Sequence, residues 1–175
     1  MNFYTADPHF GHEGIINICN RPFRTLAQME RTIIRNINNV VSDKDDLYIA
    51  GDFCWYGPTQ KSMIERLVNR INGRKHLILG NHDKLKGLDY VDCGFMSVHT
   101  SLKVNKRCIF HDPSISIMFP GNSCVVGHIH NLFKVLKNCI NVGVDVWDFK
   151  PVDDEDLRII EIGGMKMDLG NGKTK

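Results

Sequence analysis

Five short apolar runs of this 175-residue chain end in Asp, Asn or His, the residue types that hold metal ions and move protons. Asp7 and His9 follow Phe3-Tyr4-Thr5-Ala6, and Asp52 follows Leu47-Tyr48-Ile49-Ala50-Gly51. Asn81-His82-Asp83 follows Leu77-Ile78-Leu79-Gly80, His111 follows Cys108-Ile109-Phe110, and His128 and His130 follow Cys124-Val125-Val126-Gly127. Taken one at a time, a histidine or a turn aspartate is ordinarily structural. Taken together, the five tips offer three oxygen ligands and four imidazoles, a mixed hard and borderline set that suits divalent transition metals and is large enough for two ions. Manganese is the first choice for such a set, which also accepts iron, zinc or nickel. Cysteine plays no part in it, so a thiolate-rich structural zinc site is the wrong template.

The groups that would bind metal sit at predicted strand ends, which is where α/β scaffolds place their sites. Strands are predicted over Asn2–Ala6, Asp46–Ala50, Lys75–Leu79, Phe95–His99, Ser123–Val126 and Cys139–Val142. A hairpin turn is predicted at Asn105-Lys106, between Leu102-Lys103-Val104 and Cys108-Ile109-Phe110. Helical spacing of Leu26, Met29, Ile33, Ile37 and Val40 predicts a helix over Leu26–Val41, and a second is predicted over Gln60–Ile71 with Gly73 as its stop. Gly51, Gly80 and Gly127 directly precede three of the polar tips, where a chain leaving a strand sharply needs freedom from a Cβ.

Composition narrows the class without naming a partner. With 42% hydrophobic and 24% charged residues, the chain reads as one globular domain over residues 1–175. The net charge of +2 lacks the basic excess of an obligate duplex-DNA binder. No stretch has the form of a signal peptide or a bilayer span, so no membrane association is expected. Cys19, Cys54, Cys93, Cys108, Cys124 and Cys139 form no Cys-x-x-Cys pair and several lie in apolar runs, the pattern of reduced core thiols in a cytoplasmic protein.

In order and spacing, Asp7-Pro8-His9, Gly51-Asp52, Gly80-Asn81-His82-Asp83, His111 and Gly127-His128-Ile129-His130 resemble the motifs of the calcineurin-like metallophosphoesterase superfamily. The likeness spans residue 2 to about 145. Gly11-His12, Arg21-Pro22-Phe23 and Asn141-Val142-Gly143-Val144-Asp145 extend it towards the small single-domain bacterial and phage-type members. The resemblance implies an α/β (α+β) fold of four layers, αββα, with two facing mixed sheets flanked by helices. It implies that Asp7, His9 and His130 hold one divalent metal, that Asn81, His111 and His128 hold the other, and that Asp52 bridges them. A hydroxide between the metals would attack phosphorus, His82 would act as general acid on the leaving oxygen, and Asp83 would orient His82. The expected activity is phosphate-ester hydrolysis, of diesters first, on a small phosphate ester or nucleotide-like substrate. A nuclease-type phosphodiesterase and a non-catalytic metal-binding or protein-interaction module on the same scaffold are the alternatives. Asp112-Pro113 after His111, and Phe53-Cys54-Trp55 after Asp52, depart from the usual pattern at positions that concern substrate more than metal.

Outside the motifs, His12 and Arg21 are candidates to reach a substrate phosphate, as is Arg24, with surface or capping roles as the alternative. Trp55 and Tyr56 can wall the cleft or pack in the core. Residues Pro113 to Asn122 read as a loop that forms a rim or lies on the domain body. His76 and His99 are read as structural, and Asp153-Asp154-Glu155-Asp156 as a turn and helix start.

Overall fold

The computed structural model describes residues 1–163; residues 164–175, the end of the expected single domain, lie outside the described residues. In chain order the elements are β1 (Asn2–Thr5), α1 (Ile15–Ile18), α2 (Leu26–Asn38), β2 (Asp46–Ala50), α3 (Lys61–Val68), β3 (Arg74–Ile78), α4 (Gly87–Asp92), β4 (Ser97–His99), β5 (Leu102–Val104), β6 (Arg107–Ile109), β7 (Ser123–Val126), β8 (Val135–Leu136), β9 (Cys139–Asn141), β10 (Val152–Asp153) and α5 (Asp154–Ile162). They form two five-stranded mixed sheets, ordered β10-β1-β2-β3-β4 and β5-β6-β7-β9-β8. Strands β1 to β4 run parallel, as do β6, β7 and β9, and the antiparallel strands lie at sheet edges.

Strand alternation divides the core between the two faces of each sheet. Phe3, Leu47, Ile49 and Leu77 turn outward onto Met29, Ile33 and Ile37 of α2 and Ile64, Leu67 and Val68 of α3. Tyr4, Ala50 and Ile78 turn inward onto Ile109, Val125 and Ile140 of the second sheet. On the far face of that sheet Cys108, Phe110, Cys124 and Val126 are covered by Phe119, Ile129 and Phe133. Among the described residues this face is covered by a 3₁₀ helix over Pro113–Met118, within the stretch read from sequence as a loop, and by adjoining loops. All six cysteines are buried and free.

The predicted helices both end early. Thr25 caps α2 by accepting from the Gln28 amide, and the helix stops at Asn38 because that side chain turns to the Arg70 carbonyl and the Asn72 amide. A 3₁₀ turn over Pro58–Gln60 precedes α3, which closes at Val68. The acidic run does start a helix, with Asp153 accepting from the amides of Glu155 and Asp156. No helix among the described residues is long and apolar enough to cross a membrane.

Candidate metal centre

The carboxyl ends of β1, β2, β3, β6 and β7 bring the five polar tips to one edge where the sheets face each other. The segment after β1 is tied to the segment after β2, Asp7 N–H donating to the Gly51 carbonyl at 3.1 Å, His9 to Asp52 at 3.1 Å and Phe10 to Phe53 at 3.0 Å. Across the sheets, the His128 amide donates to the Asp7 carboxylate (2.9 Å to Oδ2), and His111 Nδ1 lies 2.8 Å from the Ala50 carbonyl. Asp7, His9, Asp52, His128 and His130 all adopt positive φ, between 47° and 76°. Each such non-glycine conformation costs on the order of 1 kcal/mol, which the surrounding hydrogen bonds must outweigh. Two glycines make room for the side chains. A Cβ on Gly80 would collide with the Asp52 carboxylate, and one on Gly51, at φ +89°, with the His111 ring.

The donor atoms fall into two groups that meet at Asp52. In one, donor atoms of Asp7, His9 and His130 lie within 4.8 Å of one another; in the other, those of Asp52, His111 and His128 do so. Asn81 Oδ1 completes the second group, 3.0 Å from His111 Nε2 and 2.9 Å from His128 Nδ1. Asp52 Oδ2 stands 3.5 Å from His9 Nε2 and 3.4 Å from His111 Nε2, between the two groups. The residues fit a divalent cation by an independent sign: both ring nitrogens of His9 are buried with no hydrogen-bond partner. Burial pushes the His9 imidazole down to about 3, so it stays neutral, the form that ligates metal.

The electrostatics agree with a cation-binding edge. Burial, only partly offset by His111 and His130, raises Asp7 to about 6. Burial works the same way on Asp52, but the His111 ring outweighs it and brings that carboxyl down to about 2. His111 is pulled down by burial and lifted more strongly, to about 9, by Asp52 and Asp7. His130 likewise rises against burial to about 10, chiefly through Asp145. Carboxylates that bind protons this firmly on neighbouring rings offer the same field to a metal ion.

Three residues behave differently from expectation or went unforeseen. Asp83, expected to orient His82, instead accepts from the amides of Gly80 (2.8 Å), Asp52 (2.9 Å) and Phe53 (3.0 Å). Its short side chain folds back on its own turn and braces the Asp52 turn, and burial raises it to about 7. Arg21, a candidate for a substrate phosphate or for a surface or capping role, has instead a fully buried side chain whose donors are taken by Asp145 (2.8 and 2.9 Å) and by the carbonyls of Asp7 (2.8 Å) and Pro8 (3.1 Å). Asp145 was given no role from sequence, yet it also lies 3.3 Å from His130 Nδ1 and so orients a ring of the first donor group. Asn141 holds the backbone of the same segment, donating to the His130 and Phe133 carbonyls at 2.7 and 2.8 Å.

His82 stands half open at the mouth, its Nε2 4.0 Å from Asp52 Oδ2 and its backbone amide bound to Asp52 Oδ1. His12 is stacked on Trp55 at 4.1 Å between ring centroids, and burial first, then the neighbouring His82, lowers its basicity. Tyr56 packs against the core with its ring over Gly11, and Arg24 is exposed at the start of α2. His76 and His99 share the Ser97 hydroxyl at 2.7 and 2.8 Å, away from the five tips, as structural histidines do.

Two facing mixed sheets with a metal-ligating edge of this composition define a metallophosphoesterase. The chain belongs to the calcineurin-like phosphoesterase family, whose model matches residues 4–159. It is 34% identical over 173 residues to an uncharacterized protein of Methanocaldococcus jannaschii, covering 92% of each chain. It is 32% identical to the gene 66 protein of Mycobacterium phage L5 over 83 residues, 46% of this chain and 39% of that one. In three dimensions it resembles the crystal structure of the Aquifex aeolicus protein AQ665, of unknown function, with a TM-score of 0.74, 24% identity and coverage of 91% of this chain and 98% of that one. The Pseudomonas putida nuclease MPE matches with a TM-score of 0.51 and 21% identity over 78% of this chain and 64% of that one. At these identities the two structures speak for the fold alone.

Proposed function

We propose that this chain is a two-metal phosphoesterase that hydrolyses phosphodiesters. The observation that carries the reading is Asp52 Oδ2 standing within 3.5 Å of an imidazole of each donor group, beside a His9 ring with no other partner. Asp7, His9 and His130 would hold one cation, Asn81, His111 and His128 the other, and Asp52 both. When bound, the cations supply charge neutralisation at the phosphoryl oxygens and a lowered pKa for water. Asp52 and Asp7 keep the edge anionic, and neutral His9 keeps a lone pair available. His82 carries a proton on Nε2 towards the leaving oxygen, and its partly exposed position allows it to exchange that proton with solvent. Asp83 fixes the Asp52 turn through three amides, so that the central carboxylate is held before substrate arrives.

The substrate in this reading is a small phosphate ester or nucleotide-like diester, because short connections between the motifs leave the mouth open. Manganese is the first metal to test. The buried free cysteines support a reducing, cytoplasmic setting.

The test is metal content together with hydrolysis of bis(p-nitrophenyl) phosphate. Manganese-loaded protein should bind two equivalents and hydrolyse the diester. Asp52→Asn should lose most of both. His82→Ala should keep its metal and lose roughly 10²-fold or more in kcat. Two bound equivalents with no hydrolysis of any phosphate mono- or diester would favour the non-catalytic module instead.

A further inference from the structure

We propose that Lys84, seated on the Trp55 ring against which His12 stacks, forms an anion subsite beside His82 that receives a second phosphate carried by the substrate's leaving group. The inference rests on the phosphoesterase reading above and adds the class of substrate.

One indole gathers the groups concerned. The Trp55 ring lies 4.1 Å from the His12 ring at an interplanar angle of 18°, 4.8 Å from the His82 ring, and 4.2 Å from Lys84 Nζ. His12 and His82 are each 5.5 Å from His9, so the group adjoins the metal-ligating edge on the His82 side. That is the side on which the leaving oxygen takes its proton.

The charge at this place is uncommitted. Lys84 is exposed, and among the described residues it forms no ion pair; the Lys and Arg pairings with carboxylates all lie elsewhere. Its neighbour Asp83 cannot neutralise it, because both carboxylate oxygens are turned inward to backbone amides. His12 stacks on the same indole and fixes its plane. An ammonium held over an aromatic ring, with no carboxylate of its own, is a donor for a phosphate oxygen. An aryl or alkyl leaving group without charge would leave Lys84 idle. A leaving group bearing its own phosphate, as the next linkage of a single-stranded oligonucleotide or the end phosphate of a nucleotide does, would engage it.

The experiment compares two metal-activated diesters that differ in leaving-group charge, methyl 4-nitrophenyl phosphate and methyl 3-carboxy-4-nitrophenyl phosphate. The readout is the ratio of their kcat/KM values, anionic over neutral. Lys84→Gln should lower that ratio about tenfold, mainly through KM, Lys84→Glu should lower it further, and Lys84→Arg should restore it. An unchanged ratio in both Lys84→Gln and Lys84→Glu, with unaltered unfolding midpoints, would overturn the subsite. Competition by thymidine diphosphate and by oligothymidylate then separates the two sources of the phosphate: the one whose inhibition weakens in Lys84→Gln is the match, and weakening of neither counts against the proposal. If the wild-type protein hydrolyses neither diester, the phosphoesterase reading fails by itself. The subsite is then judged by titrating inorganic phosphate into metal-free protein and following Trp55 fluorescence in a Trp147→Phe background. A saturable response lost in Lys84→Glu supports it, and no response overturns it.

Discussion

Arg21 and Asp145, 124 positions apart, meet in a two-point ion pair, Nε to Oδ1 at 2.8 Å and Nη2 to Oδ2 at 2.9 Å, directly beneath the Asp7–His9 turn. The guanidinium continues to the Asp7 and Pro8 carbonyls while the carboxylate continues to His130. One buried pair thus holds two segments of the first donor group, the turn after β1 and the turn after β7.

Breaking that pair should therefore affect both stability and metal. Asp145→Ala leaves the Arg21 cation buried without its partner, and should cost about 3 kcal/mol in urea unfolding. Asp145→Asn keeps the shape and loses the charge that orients His130, and should weaken one of the two metal equivalents about tenfold or more. Metal competition titrations on the two variants check this. Wild-type affinity for both equivalents in Asp145→Asn would show that His130 needs no such support.

Gly80 offers a sharper steric test. A methyl at this position would occupy the space of the Asp52 carboxylate, whereas a Cβ on Gly121 meets nothing within 4 Å. Gly80→Ala should displace Asp52, lower stability by about 1–3 kcal/mol and abolish metal-dependent turnover. Gly121→Ala should stay within about 0.5 kcal/mol of the parent. Comparable metal content in the two variants would be the contrary result.

The acid limit of stability can be traced at the opposite end of the first sheet. Asp46 is held down from 3.8 to about 2, chiefly by the Arg74 hydrogen bond, which with the help of His76 outweighs the opposing effect of burial. A carboxyl depressed in the folded state stabilises it at every pH above the unfolded value, and that contribution is lost as pH falls from 3.8 towards 2. Arg74→Gln should make the unfolding free energy less steep across that interval and leave its slope above pH about 5 unchanged. Urea unfolding as a function of pH measures both.

The strands that carry the donor residues were legible because each is an apolar run ending in Asp, Asn or His. Period-two alternation of faces, with Leu47 and Ile49 on one side of the sheet and Tyr48 and Ala50 on the other, follows from that pattern. Helices α2 and α3 were legible by their spacing, though not in their ends, since Asn38 closes α2 through partners more than thirty positions away. The two-residue strands β8 and β10 and the short α4 carry no periodicity to read.

By itself the amino-acid sequence determined which residues of metal-ligating type stand at strand ends and the order in which strands deliver them, because apolar alternation and polar tips are local properties of a chain. Only the tertiary structure decided how those groups are held. Arg21 is spelled like a surface arginine and Asp83 like a partner for its neighbour His82. Their roles come from burial and from backbone amides and carbonyls that long-range folding brings within reach. Lys84, Trp55 and His12 likewise became one group only when the turns after β1, β2 and β3 closed on the same edge, since a stacked ring and an unpaired ammonium are relationships in space that no spacing along the chain records.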